Sequence, residues 1–493
     1  MDLTPSRPRN PQNPFMSQST SITCPSFIRP VVAASLLMVA AALFAGCGSH
    51  EVDPPGPSKI PAGKLRFLVI DDPPLAEAIE REWAAQGRSE NDVIRRSAAD
   101  MVEQAELGAD IIVFPSAMLG ELVESERILP LPDTLLADDA LAFDAIFPLL
   151  RRQEICWGRN QPYALPLGSP QLVLMYRPGI FQQLDLTPPA SWQEYEAVAN
   201  ALQANGFQVV EPLAPGWAGK LLLARAAAYA KHRSQFSVYF DYASPDMTPL
   251  IDREPFVRAL TELAAAVQDP IVNETPQTAA EMVVCGECAM AVSWPSKSMS
   301  VNAAVDDSNW SEVAIAELPG SVDVYNFFND GWEDRPPGSS GRVPLLGTSG
   351  RLAAVTSESS QRLAAFDAIG WLASTDVGIR LSPFSGETTV CRDSHVPQAA
   401  AWLPKEMGRN VASEYGELMR TVFGRPSAVC SLRIPGRERY LAALDAAVLE
   451  VVVEGVPPAK ALSAAADKWR ELNEELGVEK QRAAYRRSVG ADR

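Results

Sequence analysis

Leu65-Arg66-Phe67-Leu68-Val69-Ile70 runs directly into Asp71-Asp72-Pro73-Pro74, and the reading of this junction decides the fold. A short, continuously apolar run bounded by turn residues is a buried strand. Beyond it Leu75, Ile79 and Trp83 recur one helical turn apart, Asp72 stands where an N-cap belongs, and Gly87 marks the stop. A second strand is expected at Asp92 to Arg95 and a third at Ala109 to Phe114, with a helix around Met101 between them. Pro115-Ser116 then opens another helix, with Ser116 placed to cap it and Leu119, Leu122 and Val123 on one face. Strands and helices alternating at this size predict an α/β fold with a parallel sheet covered on both sides.

Further along, Tyr163-Ala164-Leu165-Pro166 leads into the apolar strand Gln171 to Tyr176, and Pro178 starts a short helix. Ser191-Trp192-Gln193-Glu194 has the form of a capping box, in which the serine hydroxyl accepts from the Glu194 amide and the glutamate returns to the Ser191 amide. Helices are expected at about Trp217 to Tyr229, Pro255 to Val267 and Pro276 to Val284, followed by a strand at Ala289 to Ser293. Asn326 to Gly350 contains Pro336-Pro337-Gly338-Ser339-Ser340-Gly341, which by composition is an exposed loop. The last third is mostly helical and ends in a charged tail, 476–493, expected to fray.

Before the fold, Arg29 precedes an apolar run, Val31 to Ala45, that is shorter than the roughly 20 residues a spanning helix needs. A charged start followed by a short apolar run is the form of a secretory leader. Phe44-Ala45-Gly46-Cys47 resembles a bacterial lipobox, with phenylalanine where leucine is usual, and makes Cys47 the lipidation point of a chain that works outside the cytoplasm. The leader is 1–46, and its start is either Met1 or Met16. Gly48 to Gly63, rich in proline and glycine, is a tether.

The net charge of −18 excludes nucleic acid as a partner, because the cationic surface that supplies non-specific affinity for phosphates is missing. Three histidines, His50, His232 and His395, show no metal-ligand spacing, so neither a metal nor a cofactor is assigned. Cys156, Cys285, Cys288, Cys391 and Cys430 remain after the leader and Cys47, enough for two disulfides whose pairing sequence leaves open. Cys285-Gly286-Glu287-Cys288 precedes an apolar strand, a poor setting for a redox pair, and is read as a structural bridge or two buried thiols.

Several separated segments together resemble one family, the extracellular solute-binding proteins of ABC importers, sugar-binding group (family 1). They are Ala109 to Leu122, Tyr163 to Pro166 with Leu174 to Arg177, Pro189 to Tyr195, Gly286 to Val292, Val313 to Gly320, Ala364 to Leu372, and Ile434-Pro435-Gly436 with Tyr440 and Leu441. The resemblance implies a two-lobe periplasmic-binding-protein type II fold, each lobe a sheet flanked by helices, closing by a hinge around a small solute. The expected N-terminal lobe is 64–168 plus 295–346 and the C-terminal lobe 169–294 plus 347–475. Crossings are expected near Leu167 to Gln171, Ala289 to Trp294 and Gly347 to Arg351.

The implied function is an extracytoplasmic receptor, lipid-anchored through Cys47, that delivers a small solute, a carbohydrate above others, to ABC permease subunits. Sugar C–H faces call for flat aromatic rings, which singles out Trp217, Trp294 and Trp332 as ligand-binding candidates. Ligands of open α/β sheets sit beyond the carboxyl ends of strands, which adds Asp71, Asp72, Ser116, Ser169, Thr348 and Ser349, with Glu154 and Tyr163 as weaker candidates. Each has a plainer reading as a cap or a packing residue. A strongly anionic ligand would require an arginine cluster that spacing alone does not reveal. Two alternatives stand beside the receptor: a sensor subunit that binds in the same way, and a cysteine-dependent enzyme on the same fold with Cys156 as nucleophile.

Overall fold

The computed structural model describes residues 64–87, 92–102, 106–268, 270–297 and 307–492; the expected leader, the tether and Cys47 lie outside them. Nine strands form the two principal sheets: β1 Phe67–Ile70, β2 Val93–Arg96, β3 Ile111–Pro115, β4 Leu165–Gly168, β5 Val173–Tyr176, β6 Val209–Val210, β7 Met290–Ser293, β8 Ala314–Glu317 and β9 Arg351–Val355. The first sheet has the order β2-β1-β3-β9-β4 and the second β8-β5-β7-β6. Helices flank both, so the α/β architecture is that of two sheet-centred lobes.

β1 is parallel to β2 and β3, as the alternating pattern predicts, but β9 lies antiparallel between β3 and β4. The reason is the direction of entry. Arg351 pairs with Pro115, the last residue of β3, so the returning chain enters the sheet from the edge at which the parallel strands end. In the second sheet β5 runs antiparallel to both β7 and β8, and β6 is parallel to β7.

Strand pairing departs from the expected lobe limits at two points. β8 was expected with the N-terminal lobe, yet it pairs with β5 from Ala314↔Tyr176 to Glu317↔Val173. β9 was expected with the C-terminal lobe and is an interior strand of the first sheet. The passage 169–172 between β4 and β5 and the passage before Arg351 connect the two sheets; Ala289 to Trp294 does not, because β7 is followed by a return to the same sheet. β7 is buried at every position, which is the burial of a central strand.

Local readings hold where the signal is local. The helix Pro73–Ala85 starts at Asp72, whose carboxylate accepts from the Leu75 amide at 3.1 Å, and it buries Leu75, Ile79 and Trp83 fully. Trp83 meets Phe67 of β1 edge-on at 4.9 Å, which joins helix to sheet. Ser191 caps Trp192–Ala204 by accepting from Glu194, but the Glu194 carboxylate reaches the amide of Ala190 at 2.7 Å instead of that of Ser191. Ser116 does not cap. Pro115 is the N-cap of its turn, and the Ser116 hydroxyl donates elsewhere.

The expected loop after Asn326 holds one strand of a hairpin, Asp323–Asn326 against Gly331–Asp334. The charged end is no frayed tail: Val478–Ser488 is a helix whose Ala484 and Tyr485 are buried. Tyr485 packs edge-on against Phe240, and Arg487 pairs with Glu124. No described helix is long and apolar enough to cross a membrane.

Candidate functional site between the two sheets

The end of β1 carries the first site residue. Asp72 uses one carboxylate oxygen as a helix cap and turns the other to Arg351, 2.9 Å from its Nε, where it also accepts from the Ser385 hydroxyl. Asp72 is 5% exposed and Arg351 4%, so the pair sits out of water where charge interactions are strong. The Arg351 guanidinium also donates to the backbone carbonyls of Asp71 and Gly350, each at 3.0 Å.

Ser385 belongs to an irregular strap, 382–389, that touches both sheets. Ser382 donates to the carbonyl of Leu167 in β4 at 2.6 Å, while the Trp294 indole donates to the carbonyl of Gly386 at 2.9 Å. Glu387 accepts from Ser349 and, at 2.7 Å, from Gln277. Burial holds the Glu387 carboxyl above its ordinary range, opposed by the charges of Arg351 and Lys220. Trp217 tilts against Trp294 at 5.5 Å between ring centroids, and the Lys220 ammonium lies 4.4 Å over the Trp217 ring.

A second polar knot lies at the ends of β3 and β4. Ser116 and Ser169 both donate to the same oxygen of Glu154, at 2.5 and 2.7 Å. Glu154 is fully buried, and its other oxygen has no partner among the described residues. Desolvation raises its carboxyl above the ordinary value, against the lowering effect of the two hydroxyls and Arg433. Arg433 donates in turn to the Glu154 carbonyl at 2.7 Å and to that of Ser488 at 3.2 Å.

Asp72, Ser349 and Trp294 therefore bond to the strap, with Trp217 against Trp294, and Ser116 and Ser169 bond to Glu154. Thr348 is buried with its hydroxyl unpartnered among the described residues. Asp71 is exposed and accepts from the Ala98 amide at 3.2 Å, away from the strap. Trp332 lies in the hairpin, against Tyr229 at 5.9 Å and Tyr325 at 5.3 Å with the Arg258 guanidinium above it, which makes it a packing residue there. Tyr163 packs against the core. Arg351, Lys220, Gln277, Ser385 and Glu387 were not singled out from sequence.

Open space lies beside the second knot, in a cavity of about 450 Å³. Its walls come from four stretches: residues within 152–160 and 231–239, all of Pro426 to Arg433, and residues within 485–490. The first and last of these pack on elements of the first sheet's side and the second follows the helix Ala218–Ala230 of the other. Cys156 lines the cavity, but its thiol donates to the carbonyls of Arg151 and Asn160, and burial pushes it up to about 12. The buried His395 faces Cys391 at 3.8 Å instead. A thiol held protonated without a base beside it is a resting group. All five described cysteines, Cys285 and Cys288 included, carry free thiols. Among the described residues no group of side chains is arranged to hold a metal.

A family model described as bacterial extracellular solute-binding protein matches residues 91–395. Curated protein sequences give no match. Among solved structures, the chain is similar to an ABC transporter solute-binding protein from Agrobacterium radiobacter K84 in complex with ribitol, at 19% identity and a TM-score of 0.61, covering 83% of this chain and 98% of that one. It is similar to the sugar-binding protein MalE of Xanthomonas citri, at 14% identity and a TM-score of 0.60, covering 85% and 99%. It is similar also to maltose-bound MalE3 of T. maritima, at 16% identity and a TM-score of 0.58, covering 83% and 99%.

Proposed function

Since the chain belongs to the bacterial extracellular solute-binding proteins, we propose that it is the extracytoplasmic receptor of an ABC importer, closing two lobes over a small hydroxylated solute, and that Cys47 anchors it to the membrane by lipid. The observation that carries the reading is the strap 382–389, which bonds to Asp72 and Leu167 on one side and to Trp294 and Gln277 on the other. A segment held by both lobes is biased by any ligand that prefers them closed. The ribitol and maltose in the similar structures support a carbohydrate or polyol as the solute class. The lobes of this reading are the two sheets with their helices, β8 in the second and β9 in the first.

Thermal unfolding of the mature protein with ribitol, maltose, monosaccharides and their acidic counterparts tests it. A ligand at 100 times its Kd stabilises by about 2.7 kcal/mol, enough for a clear rise in Tm. A panel in which no sugar, polyol or sugar acid shifts Tm would refute the receptor reading. For the anchor, wild-type protein partitions with membranes and Cys47→Ser is released; equal partitioning of both removes Cys47 as the lipidation point.

A further inference from the structure

The cavity between Arg152 and Arg433 is electrostatically unlike the rest of the molecule. Five of its lining residues, Arg152, Lys231, Arg233, Arg433 and Arg487, are cations and none is an aspartate or glutamate, in a chain whose net charge is −18. Three carboxyl groups adjoin it, and the first, Glu154, is the buried acceptor of Ser116 and Ser169 beside Arg433. Glu124 is already held by Arg487 and by the Trp157 indole, and Asp492 lies beside Gly158. Arg433 and Lys231 give some of their donors to backbone carbonyls, of Gln153, Glu154, Ser488 and Gln235, and neither forms an ion pair among the described residues. Arg152 and Arg233 are exposed at the rim.

Gathering more positive charge than the adjoining carboxyl groups offset costs free energy, which an anion recovers. Two further observations point the same way. The Ser431 hydroxyl and the Arg433 Nε both belong to cavity-lining residues only 2% exposed, and both lack a hydrogen-bond partner among the described residues. Phe236, 63% exposed, presents a flat apolar ring in the same lining, a surface on which the C–H face of a sugar packs. Burial also lowers the Lys231 ammonium from its ordinary value, the direction of a cation short of partners.

We propose that this cavity takes the solute's anionic group, and that the receptor's ligand class is small hydroxylated anions, a sugar acid or a sugar or polyol phosphate, with Arg433, Lys231 and Arg233 meeting the charge and Phe236 the sugar face. The proposal rests on the receptor reading above and adds the ligand's charge to it. Carboxylate and phosphate share this chemistry, and a bidentate guanidinium fits either.

Calorimetric titration of the mature protein with D-glucuronate against D-glucose, and with sn-glycerol 3-phosphate against glycerol, tests it. Binding of an acidic member at least about 10-fold tighter than its neutral partner is expected, weakening as salt rises, and the stronger arm tells carboxylate from phosphate. Arg152→Ala with Arg233→Ala, both exposed and safe for folding, is expected to weaken that binding several-fold, and Arg433→Gln by about 10- to 100-fold. Neutral sugars binding as well as the acids, or acids binding equally to the double variant and wild type, overturns the anion assignment and leaves the receptor standing. Absence of binding by any sugar or polyol, neutral or acidic, overturns both.

Discussion

The carboxylate of Asp72, at the end of β1, lies 2.9 Å from Nε of Arg351, the first residue of β9, with both side chains out of water. This pair stitches the end of β1 to the strand by which the chain returns to the same sheet. Removing one partner strands the other charge in the interior, which typically costs about 3–5 kcal/mol. Arg351→Met is therefore expected to lower urea-unfolding stability by that amount. Asp72→Asn with Arg351→Met together should cost less than the sum of the two single changes, since no unpaired charge remains. Additive losses would show that the pair is not coupled.

Glu154 makes the opposite contribution. Its carboxyl is raised in the folded state, so folded protein holds a proton that unfolded protein has released. The penalty for burying its charge is therefore absent below the ordinary value of 4.5, and stability falls as pH climbs above it. Glu154→Gln keeps an oxygen to accept from Ser116 and Ser169 and removes the charge. The variant should be more stable than wild type at pH 7 and indistinguishable at pH 4; a variant less stable at both would show that the ionised carboxylate is needed.

Helix starts and buried strands were legible because their signals are local. Asp72 caps from three residues away and Ser191 likewise, so both could be read without the fold. What failed depends on distant chain. The Ser116 hydroxyl passes over its own helix for Glu154, 38 residues on, and the lobes of β8 and β9 are set by partners that no periodicity names. The strap 382–389 has no regular structure beyond a short turn at Ser382–Phe384 and hence no pattern to find, although it collects Asp72, Ser349 and Trp294. The cavity's cations come from four separate stretches, so their convergence is a property of the fold alone.

His395, just beyond the strap, supplies an acid-sensitive contribution. It stacks at 4.9 Å on Trp402, and desolvation, helped by the charge of Arg392, lowers its imidazole to about 3. The unfolded chain takes up a proton near the ordinary 6.5 that the folded chain refuses, so this contribution is complete above pH 6.5 and fades as pH falls toward 3. At roughly 1.4 kcal/mol per unit the loss reaches on the order of 5 kcal/mol. Denaturation at pH 7 and pH 4 should show wild type losing more stability than His395→Gln across that interval, and parallel losses would remove His395 as the cause.

Gly350 is the point where backbone freedom and closure meet. It precedes β9 with φ of +118°, and a Cβ there would lie 3.0 Å from the Ser169 hydroxyl and 3.1 Å from the Gly168 carbonyl, on the other passage between the sheets. A side chain is thus strained by conformation and crowded by the neighbouring crossing. Gly350→Ala is expected to cost about 1–3 kcal/mol in unfolding stability. Because the Gly350 carbonyl also accepts from the Ser116 amide at 3.1 Å, the displaced crossing would disturb the Glu154 knot and with it the seating of the lobes. Ligand affinity should fall along with stability. Unchanged stability and affinity would mean that the two passages adjust freely, and that neither acts as a rigid hinge.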